Sequence, residues 1–493
     1  MSIATAIEPG AVPKVATRIA YAALLLVLIA CGYSEVIGSY FLADDFNYLN
    51  IVAQAETFRD GTAVDTGWEY FRPLTALSFW FNYRCFGTET ATSFHVFALV
   101  VHWFNALLVA RLAWRLCPYW FAAGFAGAAF AVLPVHPECI TWISARADVL
   151  CATGTLILVT GWLDYLRGHR GAAALVEVLC GLVFALLTKD SAMILPVVLV
   201  AMALIYRGRP AGQVALVFAG VVVVFGVYLV SRITSLGAFI GSQSANDAHH
   251  FTINLSNSLW FTIDALRAML LPGPLGMRTG LGLILVLYIG LRHQALARFV
   301  RTAWPLFLVF LMELAPVANA VQLGLADGTN TRFLYMPSMF FCAGLGVLVG
   351  TSLPDGSGKP SVQRRSSVLY FAAVILVVIY TVTIRQVNRP WAEASAMSRG
   401  IVTQLQDFTK GKDYRWVFIH GLPDTHEGAY VFRNGIDTAI KLCVSKTLVF
   451  PPHGNISLED WLERSAQRRA DPTAHPGILL LRWDPASRRL IEP

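Results

Sequence analysis

Apolar residues in this chain gather in long unbroken runs, not in the alternation of a half-buried strand or the narrow stripe of a surface helix. The runs occupy residues 19–37, 94–114, 121–135, 147–165, 172–187, 191–206, 214–230, 275–291, 303–317, 333–349 and 368–384. A helix needs roughly 20 apolar residues to cross a bilayer core. The pattern therefore predicts about eleven transmembrane helices, the shorter ones borrowing flanking residues or sitting in thinned bilayer. Lys14 and Arg18 precede the first run, as in an uncleaved signal anchor.

The turns between runs set an orientation. With the N-terminus in the cytoplasm, Arg111 and Arg115, Arg167 and Arg170, Arg207 and Arg209, Arg292 and Arg301, and Lys359 and Arg365 all fall on that side. This is the bias that the positive-inside rule describes. It requires residues 255–271, which carry Asp264 and Arg267, to lie on or dip into the outer face instead of crossing. Residues 231–254 then form an external connector or lid, and the C-terminal tail lies outside.

Composition gives the same class. Of 493 residues, 56% are hydrophobic and only 14% charged, with a mean hydropathy of +0.57. A soluble chain carries about a quarter charged residues. The formal charge of +7 belongs to the turns, and no basic stretch is dense enough for nucleic acid. Eight cysteines lack CxxC or Cys/His spacing and read as small core residues, not zinc ligands. From about residue 388 the charge density becomes ordinary, with a strand-like run at 416–419 and helical patterning near 458–469. The expected fold class is an all-α polytopic membrane protein over 1–387, with interfacial helices in the first outer loop, plus a small α/β extracytoplasmic domain over 388–493.

Polar residues at membrane depth gather on the outer side: Asp44, Asp45, Arg72, His136, Glu138, Arg146, Asp148, Lys189, Asp190 and Arg332. A one-sided set of acids and bases suits an anionic, membrane-borne substrate. Arg and Lys neutralise phosphate, and a carboxylate can act as general base. Simpler roles compete. Asp44 and Asp45 could cap a helix, Arg146 and Asp148 could be an ion pair, His136 a satisfied loop histidine, and Lys189 a snorkelling anchor.

Asp44-Asp45 after the first run resembles the acidic motif of GT-C membrane glycosyltransferases. Phe71-Arg72-Pro73-Leu74-Thr75, Pro134-Val135-His136-Pro137-Glu138, Trp142 to Asp148, Thr188-Lys189-Asp190 and Arg332 to Ser338 follow it. Their order and spacing are similar to the membrane part of the tetratricopeptide-repeat-containing transmembrane O-mannosyltransferases and their bacterial relatives, over residues 19–391. The chain departs from that pattern in three places. Its tail shows no tetratricopeptide repeat, Thr331 precedes Arg332 where the family has an acid, and Asp190 follows Lys189 where glutamate is usual.

The resemblance implies an inverting transferase that moves a mannose-like sugar from a polyprenyl-phosphate donor to a hydroxyl of a protein or envelope glycan. The reaction would run on the periplasmic face of a bacterial inner membrane. Asp44 would be the general base, and Asp45 would orient the acceptor or hold a metal. Adjacent carboxylates disfavour simultaneous ionisation, which suits one of them to base work. Lys189, Arg332 and Arg72, with the Tyr335 hydroxyl, would meet the charge growing on the leaving phosphate. His136, Glu138, Arg146 and Asp148 would contact sugar or acceptor. Asp44, Asp45 and Glu138 could supply oxygen ligands to Mg²⁺ or Mn²⁺, a requirement left open. Competing classes are a lipid-linked sugar flippase, which would place functional polar residues such as Glu313 and His102 at the midplane, and a non-catalytic scaffold. Within the enzyme class, an envelope glycolipid is the alternative acceptor.

Overall fold

Backbone amides inside a bilayer must satisfy one another locally, so apolar runs fold as helices. The computed structural model of the chain describes residues 13–57, 59, 60, 70–88, 90–206, 208–237, 254–270, 293–318, 321–325, 327–352, 360–471 and 477–492. In chain order the helices are α1 (Val15–Tyr33), α2 (Asp45–Gln54), α3 (Pro73–Phe86), α4 (Thr92–Leu116), α5 (Trp120–Ala131), α6 (Pro137–Thr141) and α7 (Arg146–Leu166). There follow α8 (Gly171–Leu186), α9 (Leu195–Ile205), α10 (Ala211–Leu236), α11 (Leu255–Leu270), α12 (His293–Leu314), α13 (Tyr335–Ser352) and α14 (Pro360–Thr409). Among the described residues six helices, α1, α4, α7, α10, α13 and α14, are long and apolar enough to cross a membrane, and α5, α8 and α9 are shorter apolar helices. The run expected at 275–291 lies outside the described residues.

α2 and α3 are the helices expected in the first outer loop, the latter opened by Pro73, whose fixed φ suits a first helical position. Residues 231–236 were expected in a loop but continue α10, because Arg232 finds an acidic partner, Asp190, at that depth.

Two features hold the bundle. Gly154 of α7 faces Gly181 of α8 so closely that a Cβ on Gly154 would lie 2.8 Å from the Gly181 carbonyl oxygen. Only small residues allow that approach, and close packing is what joins helices where no hydrophobic force separates them from lipid. At the end of the bundle away from Asp44, buried Asp164 meets Arg115 at 3.1 Å and Arg170 at 3.6 Å, while Glu177 meets Arg111 at 2.6 Å and Arg170 at 2.8 Å. The network joins α4, α7 and α8.

α14 decides how the tail is placed. Its 50 residues span about 75 Å, more than twice a bilayer core of about 30 Å, so its C-terminal part stands beyond the membrane. Buried Asn388 fixes it laterally, donating to the Gly32 carbonyl at 3.0 Å and accepting from Thr141 at 2.9 Å. The boundary expected at 387/388 thus falls inside one continuous helix.

Beyond it come β1 (Trp416–His420), β2 (Thr425–His426), β3 (Ala429–Tyr430), α15 (Ile436–Ala439), β4 (Asn455–Ile456), α16 (Leu458–Ala470), β5 (Ile478–Asp484) and β6 (Arg489–Ile491). The sheet order is β4-β1-β5-β6, with β1 parallel to both β4 and β5 and β6 antiparallel to β5. α16, capped by Ser457, covers one face through Trp461 against Leu480 and Ile456. This is the small α/β unit that the tail's composition predicts.

Candidate active site

Two adjacent acids diverge because Ala43, just before them, takes a left-handed conformation with φ 43°. Asp45 turns inward and is buried. One of its oxygens accepts from the Ser144 amide at 2.7 Å and hydroxyl at 2.5 Å, and the other accepts from the Leu42 amide at 2.9 Å. Burial nevertheless pushes its carboxyl up to about 7, outweighing those donors. Asp45 therefore ties the acidic loop to the turn before α7.

Asp44 turns outward. It stands at the N-cap of α2 but its side chain makes no capping hydrogen bond. One carboxylate oxygen accepts from Asn434 Nδ2 at 3.0 Å; among the described residues the other has no protein donor. Burial raises its carboxyl above the ordinary value, while Asn434, Arg332 and Arg433 pull it back. The capping role weighed from sequence is not the one adopted.

Three of the expected cations are each paired with an acid, and of these Arg332 acts on the Asp44 carboxylate. Arg332 lies in the turn 331–334, entered through Gly328 and Asn330 at positive φ. Its guanidinium is paired with Glu138, whose other oxygen accepts the Arg332 amide at 2.9 Å. Tyr430, from the tail, receives an Arg332 N–H at 2.9 Å and donates to Glu138 at 3.1 Å. Lys189 is paired with Asp148. Arg72 meets Asp190 at 3.2 Å, and Asp190 also holds Arg232. The side chains of Arg332, Lys189 and Arg72 keep 21, 11 and 16% exposure, so each is fixed by an acid yet not sealed off. A guanidinium has five N–H donors, so one acid partner leaves others for a ligand.

Four of the expected site residues lie behind this surface. Arg146 is enclosed: it donates to Asn82 at 2.7 Å and to the carbonyls of Ser78 and Phe94, between the rings of Phe79 and Phe97. Its expected partner, Asp148, belongs to Lys189. His136 is buried against Ser338 at 2.8 Å. The Tyr335 hydroxyl is taken by His102 at 2.8 Å and Asn105 at 3.2 Å. Glu138 is 1% exposed and occupied by Arg332. His136, Glu138, Arg146 and the Tyr335 hydroxyl, expected to contact sugar, acceptor or phosphate, each have a partner within the protein, while His136 Nδ1 and Arg146 Nε have none.

Among the described residues no three His, Cys, Asp or Glu side chains converge as a metal site would need. Of the three carboxylates considered for Mg²⁺ or Mn²⁺, Asp45 and Glu138 are engaged by protein donors. A groove of about 1000 Å³ opens elsewhere, between Tyr40, Arg399, Gln404 and Leu490, and includes neither Asp44 nor Arg332.

The sequence did not single out Asn434, Tyr430, Arg433 or Arg232. Phe432-Arg433-Asn434-Gly435 lies some 390 residues from Asp44, and its only signal is a polar–glycine turn in a domain read as separate.

No family model matches the chain. Among solved structures, the backbone is similar to ArnT from Cupriavidus metallidurans in the apo state, with a TM-score of 0.52 at 14% identity over 96% of this chain and 94% of that one. ArnT bound to undecaprenyl phosphate gives a TM-score of 0.50 at 14% identity over 92% of each chain. The chain has the GT-C fold. The fold and the apolar helices make it an integral membrane protein. In sequence the chain is similar to the protein O-mannosyl-transferase TMTC4 of Homo sapiens, 32% identical over 119 residues, 22% of this chain and 16% of that one. It is likewise similar to Tmtc2 of Drosophila melanogaster, 35% identical over 100 residues, 20% of this chain and 10% of that one. The matched stretch spans less than a fifth of either relative's length.

Proposed function

We propose that the chain is a glycosyltransferase that moves a mannose-like sugar from a polyprenyl-phosphate donor to an acceptor hydroxyl, with inversion, on the periplasmic face of a bacterial inner membrane. The observation that carries this reading is Asp44. It is a single outward carboxylate with one open oxygen, coupled to Arg332 and raised toward a base's working range. In the step, Asp44 accepts the acceptor's hydroxyl proton as the oxygen bonds to the anomeric carbon. The bond from that carbon to the phosphate oxygen breaks, and the lipid phosphate leaves with the electron pair.

Arg332, Lys189 and Arg72 are already held by acids, so they meet the growing phosphate charge with little reorganisation. Asp148 acts through Lys189, and Asp45 through the loop that aims Asp44. The relatives' names, O-mannosyl-transferases, support the sugar. The undecaprenyl phosphate bound to ArnT supports the donor class. The acceptor is a protein or an envelope glycan, and residues 388–493 form the unit presented to it.

Transfer of radiolabelled sugar from polyprenyl-phosphate donors into membrane acceptors tests the reading. Asp44→Asn should lower transfer on the order of 10²–10⁴-fold while insertion persists, and wild-type transfer should fall on acidification with an inflection above the ordinary carboxylate range. Retained transfer by Asp44→Asn, or donor movement across vesicles without any transfer, would reject it.

A further inference from the structure

The tail does not merely sit above the membrane bundle. The Ala43 amide donates to the Val431 carbonyl at 3.0 Å, and Thr438 donates to Asn47 at 2.8 Å. The Phe46 and Phe432 rings stack with centroids 5.8 Å apart. Gly435, at φ +81°, lies so close that a Cβ there would come within 2.3 Å of the Ala43 carbonyl oxygen. These contacts clamp residues 429–438 onto the acidic loop from both sides of Asp44.

We infer that this tail segment is part of the catalytic centre, with Asn434 as a positioning residue for Asp44 and Tyr430 as a positioning residue for Arg332. The inference rests on the transferase reading above. Asn434 donates to one Asp44 oxygen, which fixes the carboxylate's rotation and leaves its second oxygen for the acceptor proton. An amide N–H on a carboxylate also favours the ionised form, the one a base must hold. Tyr430 does the corresponding work on the cation. Its hydroxyl closes a triangle with Arg332 and Glu138 that fixes the guanidinium plane. Burial and the Glu138 carboxylate hold the phenol above its usual range, so it remains a hydrogen donor at neutral pH.

The groups facing Asp44 are few enough to make a test specific. Asp45 and Tyr48 lie on its own helix, Arg332 on the turn before α13, and Arg433 and Asn434 on the tail. Of these Asn434 is the uncharged donor to Asp44, so its replacement by alanine changes a hydrogen bond and not a net charge.

The experiment is the pH dependence of sugar transfer by the full chain in membranes, for wild type, Asn434→Ala, Asn434→Asp and Tyr430→Phe. Loss of a hydrogen bond to a charged group should move the acid limb of Asn434→Ala up by about one pH unit. Asn434→Asp, nearly isosteric, brings a like charge and should move it further. Tyr430→Phe should leave the limb in place and raise the donor KM more than it lowers kcat. A merely structural tail would instead lower all rates in proportion without moving the limb. The infrared carboxyl band lost in Asp44→Asn gives the same titration without turnover. Unmoved titration in both Asn434 variants overturns the inference while wild-type transfer leaves the transferase reading intact. If wild type transfers no sugar but the band shifts, the positioning contact stands and the transferase reading falls.

Discussion

At the scale of single residues, the two neighbouring acids show how one backbone torsion separates chemistry from structure. Asp45 is the buried one, and its carboxyl at about 7 makes stability depend on pH. The folded state binds this proton more tightly than the unfolded chain, whose carboxyl titrates near pH ~4. The neutral form therefore adds stability that is full below about pH 4 and lost as pH rises through about 7. Thermal unfolding in detergent should give a higher midpoint at pH 5 than at pH 8, and Asp45→Asn, fixed in a neutral form, should flatten that difference. An unchanged slope in the variant would place the titration elsewhere. Arg332 and Arg146 make a parallel contrast. Both are arginines read as site residues, yet Arg332 keeps a face toward the site while Arg146 is closed in by carbonyls, Asn82 and aromatic rings.

At the scale of elements, the site is assembled from turns at helix ends: the entry to α2, the start of α3, the turns 143–145 and 331–334, and the segment from β3 to α15. Loops at helix ends can carry polar groups because the helices beneath them are rigid. The tightest joint is Gly435 against Ala43. Gly435→Val would meet both the Ala43 carbonyl and an unfavourable φ, a strain of about 1–3 kcal/mol. It should undock the segment from β3 to α15, lower transfer, and leave helical content by circular dichroism unchanged. Wild-type transfer by Gly435→Val would show that the joint is slack. The turn 331–334 explains one departure noted in the sequence. Thr331 donates to the Gly328 carbonyl at 2.8 Å and closes the turn, while the acid that holds Arg332 comes from Glu138 in α6.

At the scale of the whole molecule, the basic turns and the long helix α14 make one statement about orientation. The Arg111, Arg115 and Arg170 network lies at the end opposite Asp44, and α14 carries the tail past the end that holds Asp44. In a chain freed of its eight native cysteines, Lys446→Cys, an exposed position, should react with a membrane-impermeant maleimide in intact spheroplasts, while Arg170→Cys should react only after lysis. The reverse pattern would invert the topology.

Most of the bundle was legible without coordinates. Runs of apolar residues long enough to span lipid can satisfy their amides only as helices, so the helical membrane class follows from local pattern, and the order of runs and basic turns puts Asp44, Arg72, Lys189 and Arg332 on one side. The strand at Trp416 and the helix at Leu458 follow likewise from local periodicity. What only the tertiary structure decided is which polar side chains meet. That Asp148 takes Lys189 and not Arg146, that Asp45 turns inward, and that Asn434 reaches Asp44 across some 390 residues depend on pairings distant in sequence. A hydrogen bond has no period along the chain. Burial makes each of these contacts strong, and burial is set by the packing of helices whose facing surfaces the sequence lists but does not pair.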